Sequence, residues 1–307
     1  MKRKIFVAIL FINFICFSQD NAFTEKEIAI NVIIDGTLVL PKAEKPPLAI
    51  IIAGSGPTDR NGNQNFLKSN NLKKLAEGLS KNGIASFRYD KRIVKQIRKG
   101  DVDPNTLFDD FVTDAISVVD YFKNSKEFNG IYVIGHSQGS LVGMLAAKNR
   151  ANGFVSLAGA GQNIGDVIVE QVGQTAPHLK ADAEKVVRVL KTGKTTNDYP
   201  PMLGSLFSSD LQPFMINWMS YEPTLLIKEL NIPILLINGT KDLQVSVEEA
   251  KLLKAANEKA ELKIIDKMNH VLFTIEGDRL ENSKSYNEPF RKITQELLDS
   301  VVKFIKS

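Results

Sequence analysis

The stretch Ile131-Tyr-Val-Ile-Gly-His-Ser-Gln-Gly-Ser-Leu-Val-Gly-Met-Leu-Ala-Ala147 decides how the rest of the chain is read. Ile131 to Ile134 is a short apolar run of the kind that forms a buried strand. Gly135-His136-Ser137-Gln138-Gly139 follows at once, and small residues in a helical pattern follow that. G-x-S-x-G between a strand and a helix predicts a nucleophile elbow, with Ser137 on a sharp, strained turn and its Oγ exposed. Gly135 and Gly139 flank the serine because side chains there would collide with the neighbouring strand and helix. A helix starting near Gln138 also aims amide N–H groups at the same point.

A serine hydroxyl needs a base to take its proton and an acid to orient the base. On an elbow of this kind the chain order is Ser, then Asp or Glu, then His. The chain has three histidines. His136 adjoins the nucleophile on the wrong side of the turn, and His178 lies in a polar helical segment. His270, in a loop after the strand-like Leu262 to Ile265, is the candidate base. The acid should follow the preceding strand, Ile234 to Ile237. Asp242 is the first carboxylate beyond the Asn238-Gly239 turn, and the rival is Asp266, four residues before His270 at a strand end. Ser246 is the better cap for the next helix, which frees Asp242 for the site.

An acyl oxygen that becomes negative needs two backbone N–H donors. Gln138 supplies one, as the residue after the nucleophile. The other is expected from the glycine-rich loop Gly54-Ser-Gly-Pro-Thr-Asp-Arg-Asn-Gly-Asn63, which follows the apolar Leu48 to Ala53. Ser55 is the candidate, with Gly54 the alternative. No Gly-Lys-Ser/Thr follows this loop, so a phosphate-cradling reading is poor.

Together Ala53-Gly-Ser-Gly-Pro-Thr-Asp-Arg-Asn-Gly-Asn63, Tyr89-Asp-Lys-Arg92, Gly135-His-Ser-Gln-Gly139, Asn238-Gly-Thr-Lys-Asp-Leu-Gln-Val245 and Met268-Asn-His270 resemble the α/β-hydrolase superfamily. The likeness is to bacterial carboxylesterases near the monoacylglycerol-lipase and serine-aminopeptidase branch. It runs from about Glu25 to the C-terminus. It implies a mostly parallel eight-stranded sheet with helices on both faces, a helical cap, no cofactor and no metal. The sequence departs from many relatives at Ala53-Gly54, where they carry His-Gly, and at Ile93 to Gln96, where they carry a Gly-x-Gly-x-Ser. Both departures weaken any transfer of substrate preference.

Alternating apolar strands and helical patterns support a parallel sheet covered on both faces. The strands read as Glu27–Ile34 and Thr37–Leu40, joined by a hairpin turn at Asp35-Gly36, then 48–53, 85–89, 131–134, 153–157, 234–237 and 261–265. Helices are expected near 71–81, 107–122, 138–148 and 287–304. Residues 162–230 break the alternation and read as an inserted helical cap, which leaves 19–161 and 231–307 as the two parts of the core. Phe214, Trp218 and Met219 are the candidate acyl-pocket residues, and the competing reading is that they pack the cap onto the sheet. Lys91, Arg92, Lys95, Arg98 and Lys99 form a basic cluster, read as a solvated loop, with an anion-selective rim the alternative.

Lys2-Arg3-Lys4, the apolar run Ile5 to Phe17 and the small residue at Ser18 have the form of a signal peptide spanning 1–18, which implies export. A retained anchor and a lipoprotein acylated at Cys16 are the alternatives; Ile15 stands where a lipoprotein signal has a small residue. Cys16 is the single cysteine, so a chain cleaved at Ser18 needs no disulfide. Loss of Lys2, Arg3 and Lys4 leaves 36 basic against 35 acidic residues, a net charge of +1 rather than +4. Nothing in that balance points to nucleic acid, no stable membrane insertion is expected after signal removal, and oligomeric state is not encoded in any visible pattern.

These residues point to a serine hydrolase acting on a small-molecule ester. The alternatives are an aminopeptidase-like peptidase and a non-catalytic binding protein of the same fold. A peptidase of that type needs a carboxylate for the substrate ammonium, and Glu170, Asp182, Glu184, Asp198, Asp210 and Glu222 are available.

Overall fold

The computed structural model describes residues 22–307. The signal segment 1–18 and Cys16 lie outside the described residues. Eight strands form one sheet: β1 (Phe23–Ala29), β2 (Asp35–Pro41), β3 (Leu48–Ile52), β4 (Ala85–Tyr89), β5 (Ile131–His136), β6 (Gly153–Leu157), β7 (Ile234–Gly239) and β8 (Glu261–Ile265). Their spatial order is β1-β2-β4-β3-β5-β6-β7-β8. β2 is antiparallel to both of its neighbours, and every pairing from β4 to β8 is parallel.

Helices α1 (Asn71–Lys81), α2 (Arg92–Lys99), α3 (Phe108–Ser125) and α4 (Gln138–Ala147) connect the first six strands. Between β6 and β7 lie α5 (Ile164–Thr175), α6 (Lys180–Leu190), α7 (Gly204–Phe207), α8 (Gln212–Met219) and α9 (Pro223–Lys228). The chain closes with α10 (Val247–Ala256), α11 (Arg279–Ser285) and α12 (Gln295–Lys306).

The central strands are apolar without interruption because both faces of the sheet are covered. β3, β4, β6 and β7 are buried at every residue. Alternate residues feed opposite layers. Ile50, Val133 and Leu236 pack with α3 and α4 on one face, and Ile51, Ile134 and Leu235 pack with α1 and α12 on the other. This is the α/β-hydrolase architecture. It carries the ends of β3, β5, β7 and β8 to one edge, where the candidate site residues lie.

Three local expectations are corrected. The first hairpin turns at Ile30 to Ile34, not at Asp35-Gly36. Asn31 Oδ1 accepts the Ile33 and Ile34 N–H groups at 2.8 Å, which closes the turn early. Asp35 is drawn into β2 instead by Arg60 and Lys95, and a Cβ on Gly36 would lie 2.4 Å from the Arg88 carbonyl oxygen of β4. The basic cluster is not a solvated loop but the start and body of α2. Arg92 pairs with Asp110 and Asp114, Lys95 with Asp35 and Arg98 with Asp90, while Lys91 is buried. The final helix begins at Gln295 rather than near Asn287. Pro289 denies a helix its N–H there, and the Thr294 N–H donates to the Leu272 carbonyl at 2.8 Å.

Candidate active site

Ser137 connects β5 to α4 at φ 54° and ψ −123°, a positive-φ conformation that costs a non-glycine residue energy and must be held by its surroundings. Two backbone bonds do so. The Ser137 N–H donates to the Leu157 carbonyl at 2.9 Å, and the Ser140 N–H donates to the Ser137 carbonyl at 2.8 Å. A Cβ on Gly135 would lie 2.1 Å from the Gly139 carbonyl oxygen, and one on Gly139 2.4 Å from that of Ile52. Both glycines are therefore required for α4 to press against β3 and β5.

His270 follows β8, and Asp242 follows β7. The parallel pairing of these strands brings His270 Nδ1 within 2.8 Å of Asp242 Oδ2. The Asp242 side chain is wholly buried. Its other oxygen accepts the Gln244 N–H at 2.8 Å and the Val245 N–H at 2.9 Å, so the carboxylate is fully engaged. A carboxylate so held fixes the proton on Nδ1 and leaves Nε2 as the basic nitrogen. Asp266 is exposed and accepts from Thr240 Oγ1 at 2.9 Å; it makes no bond to His270. The loop carrying His270 is fastened from below. Asn269 donates to Asn282 and Ser285 and accepts the Phe273 N–H.

His136 takes a part that the sequence did not suggest. Its ring lies 4.9 Å from that of His270, and its Nε2 is 2.8 Å from the His270 carbonyl oxygen. A carbonyl only accepts, so Nε2 carries the hydrogen. Burial, and next the neighbouring His270, push its pKa down to about 4. His136 is thus a neutral brace under the His270 ring. His178 is exposed in a turn between α5 and α6.

The Ser55 and Gln138 amide N–H groups have no acceptor among the described residues. The Ser55 carbonyl accepts from Thr58 Oγ1 at 2.7 Å and Gln64 Nε2 at 3.0 Å, which folds the loop back on itself. Arg60 anchors the same loop to the sheet through Glu27, Asp35 and Asp90. Lys91 is a second unforeseen residue. Buried beneath this loop, its Nζ donates to the Gly54 carbonyl at 2.5 Å. Nothing local in the sequence separates it from the surface lysines of the cluster.

Ser137 lines two cavities that also share Ser55 and Gln244. The larger, of about 250 Å³, has apolar walls that include Leu141, Ile164, Val167, Ile168, Met215 and Trp218. The smaller, of about 80 Å³, is walled by Thr58, Gln64, Ser69, Asn71, His270 and Tyr286 among others. Of the three residues expected to form the acyl pocket, only Trp218 lines it. Phe214 packs against Phe108, Phe111 and Trp218, 5.6 to 6.3 Å between ring centroids. Met219 is buried in the core beside the Asn163 side chain, which donates to its carbonyl. The reason is helical phase. On α8, Met215 and Trp218 are three residues apart and share the cavity face, whereas Phe214 and Met219 fall to either side of it. None of Glu170, Asp182, Glu184, Asp198, Asp210 and Glu222 lines either cavity.

Among the described residues no group of three or more His, Cys, Asp or Glu is placed to hold a metal ion, and no helix is long and apolar enough to cross a membrane.

The family model Hydrolase_4, described as "Serine aminopeptidase, S33", matches residues 67–278. The chain belongs to this family. The S33 match takes in Ser137, Asp242 and His270 and ends before α11. A relative of the same chain is Esterase EstD of Thermotoga maritima, 30% identical over 267 residues that cover 83% of this chain. The chain spans 62% of the length of that relative. Among solved structures, Est1E from Butyrivibrio proteoclasticus has a TM-score of 0.57 at 17% identity, covering 92% of this chain and 99% of its own. The Pyrococcus furiosus esterase Pf2001 has a TM-score of 0.57 at 18% identity, covering 94% of this chain and 91% of its own. At that identity both establish the shared fold.

Proposed function

We propose that the protein hydrolyses carboxylic esters by an acyl-enzyme mechanism, with Ser137 as nucleophile, His270 as base and Asp242 as the orienting acid. The observation that carries this reading is the buried 2.8 Å bond between Asp242 and His270 at a cavity that Ser137 also lines from its strained elbow. Ser137 Oγ attacks the ester carbonyl carbon and gives its proton to His270 Nε2. The carbonyl oxygen takes the negative charge and is held by the Ser55 and Gln138 N–H groups. His270 passes the proton to the leaving alkoxide, and water repeats the cycle on the acyl-enzyme. Asp242 stays ionised throughout and stabilises the charged imidazole.

The two cavities divide the substrate. The apolar one suits the acyl group, and the smaller polar one, beside His270, suits a neutral alcohol. An ester is favoured over an aminopeptidase substrate because neither cavity has a carboxylate wall for an ammonium group. The name of the Thermotoga relative, an esterase, supports the same choice.

Hydrolysis of p-nitrophenyl esters against aminoacyl amides, with fluorophosphonate labelling in parallel, tests the reading. Ser137→Ala should abolish labelling and lower kcat by about 10⁴-fold or more, since triad members act as a unit. Near-wild-type turnover by the folded variant would overturn it, and faster cleavage of aminoacyl amides than of esters would favour the peptidase. The reading also places the enzyme outside the cytoplasm, on the strength of the segment 1–18.

A further inference from the structure

Lys91 is buried at 4% exposure, and among the described residues no carboxylate lies within ion-pair distance of it. Its Nζ has three neighbours. It lies 2.5 Å from the Gly54 carbonyl oxygen, 3.3 Å from Gln138 Oε1 and 5.1 Å from the centre of the Phe111 ring. A buried cation without a counter-ion is costly. Of its two polar contacts, one ends on the carbonyl of the peptide unit that carries the Ser55 N–H, and the other on the side chain of Gln138, whose own N–H is the second donor of the proposed mechanism.

The Gly54 carbonyl and the Ser55 N–H belong to one trans peptide unit, in which the two groups point in opposite directions within a plane. A donor fixed to the carbonyl from below therefore sets the direction of the N–H above. A cation on the carbonyl oxygen also polarises the amide and makes its N–H a stronger donor. Gln138, which brings the second N–H at the start of α4, is tied to the same ammonium through its side chain. The geometry points to Lys91 as the positioning residue of the oxyanion hole, a single buried ammonium that orients and polarises the Ser55 arm and tethers the Gln138 side chain beside the other. This rests on the hydrolase reading and adds to it a residue that does not touch substrate.

Burial pushes the Lys91 ammonium down to about 7, so its charge should change within the working pH range. The other ionisable groups around it are paired or buried. Burial pushes the Asp114 carboxyl up, against the opposing pull of Arg92; it shares a small cavity with Lys91 and is held bidentate by Arg92 at 2.8 and 2.7 Å. Tyr89, in the same cavity, is pushed far up by burial. Asp90, the preceding residue, is taken up by Arg60 and Arg98.

The test measures kcat, KM and melting temperature of Lys91→Met with p-nitrophenyl esters from pH 5.5 to 9, beside wild type and Ser137→Ala. Loss of the clamp should lower kcat by about 10- to 100-fold, less than removal of a donor itself, with KM within about twofold. The melting temperature should change little, because removal of a desolvated charge offsets the lost bond to the Gly54 carbonyl. Wild type should show a fall in kcat centred near pH 7 that the variant lacks. A variant with kcat within about twofold of wild type, or one that loses kcat, KM and melting temperature together, would overturn the assignment. If Lys91→Met does not fold, Gln138→Glu decides. It keeps the backbone N–H and pairs the ammonium, so the pH step should move up by about one unit or more, and an unmoved step refutes the clamp. An active Ser137→Ala would instead refute the hydrolase reading itself.

Discussion

His136 makes the acid stability of this protein a calculable quantity. Its imidazole has a pKa of about 4 in the fold against 6.5 for a free histidine, because burial, and then the nearby His270, disfavour the charged form. Between these values the unfolded chain takes up a proton that the native state excludes. Stability is therefore fully present above pH 6.5 and is lost as the pH falls toward 4. At about 1.4 kcal/mol per pH unit the whole interval is worth about 3 kcal/mol, of which about 2 kcal/mol falls between pH 7 and pH 5. His136→Phe removes the titration and keeps a ring in place. It also leaves the His270 carbonyl without the 2.8 Å bond from Nε2, at a cost of about 1–2 kcal/mol at pH 7. The two stability curves should thus converge between pH 7 and pH 5. Urea unfolding followed by the fluorescence of Trp218, the single tryptophan, reads both. If wild type and variant lose stability in parallel over that range, His136 is not a buried neutral imidazole in the native state.

The remaining expectations concern the acid, the pocket and the N-terminus. Asp242→Asn should lower kcat by about 10⁴-fold, because the amide would face Nδ1 with its NH2 and favour the wrong tautomer of His270. Asp266→Asn should be nearly silent in the same ester assay, and a reversal would move the orienting acid to the turn after β8. Trp218→Ala should change the ratio of kcat/KM for short against long acyl chains by about tenfold. Phe214→Ala should instead cost about 2 kcal/mol of stability by emptying part of the aromatic cluster, with that ratio unchanged. Mass spectrometry of the exported protein should find a mature N-terminus at or near Gln19, and an acylated Cys16 would show a lipoprotein instead.

The parts legible in the sequence are those whose physics is local. Apolar runs at 48–53, 131–134 and 234–237 can only be strands buried on both faces, and their alternation with helices requires a parallel sheet. The tight turn at Ser137 is written in Gly135 and Gly139, because the clash that excludes a Cβ arises within a few residues of the turn. The early turn at Asn31 was masked because Asp35-Gly36 carries an equally good local signal, and ion pairs from distant Arg60 and Lys95 override it. The meeting of Asp242 with His270 across 28 residues follows from β7 and β8 lying side by side. Residue type alone cannot say which face of α8 meets the cavity, so Trp218 and Phe214 read alike until the helix is docked on α3. Lys91 and Lys95 read alike for the same reason. One is sealed under the glycine-rich loop and the other pairs with Asp35 at the sheet edge, because burial is a property of what the rest of the chain packs around a residue. Sequence by itself determined the fold class and the types of residue available for chemistry. Only the tertiary structure decided which of them meet, since those contacts join segments far apart along the chain.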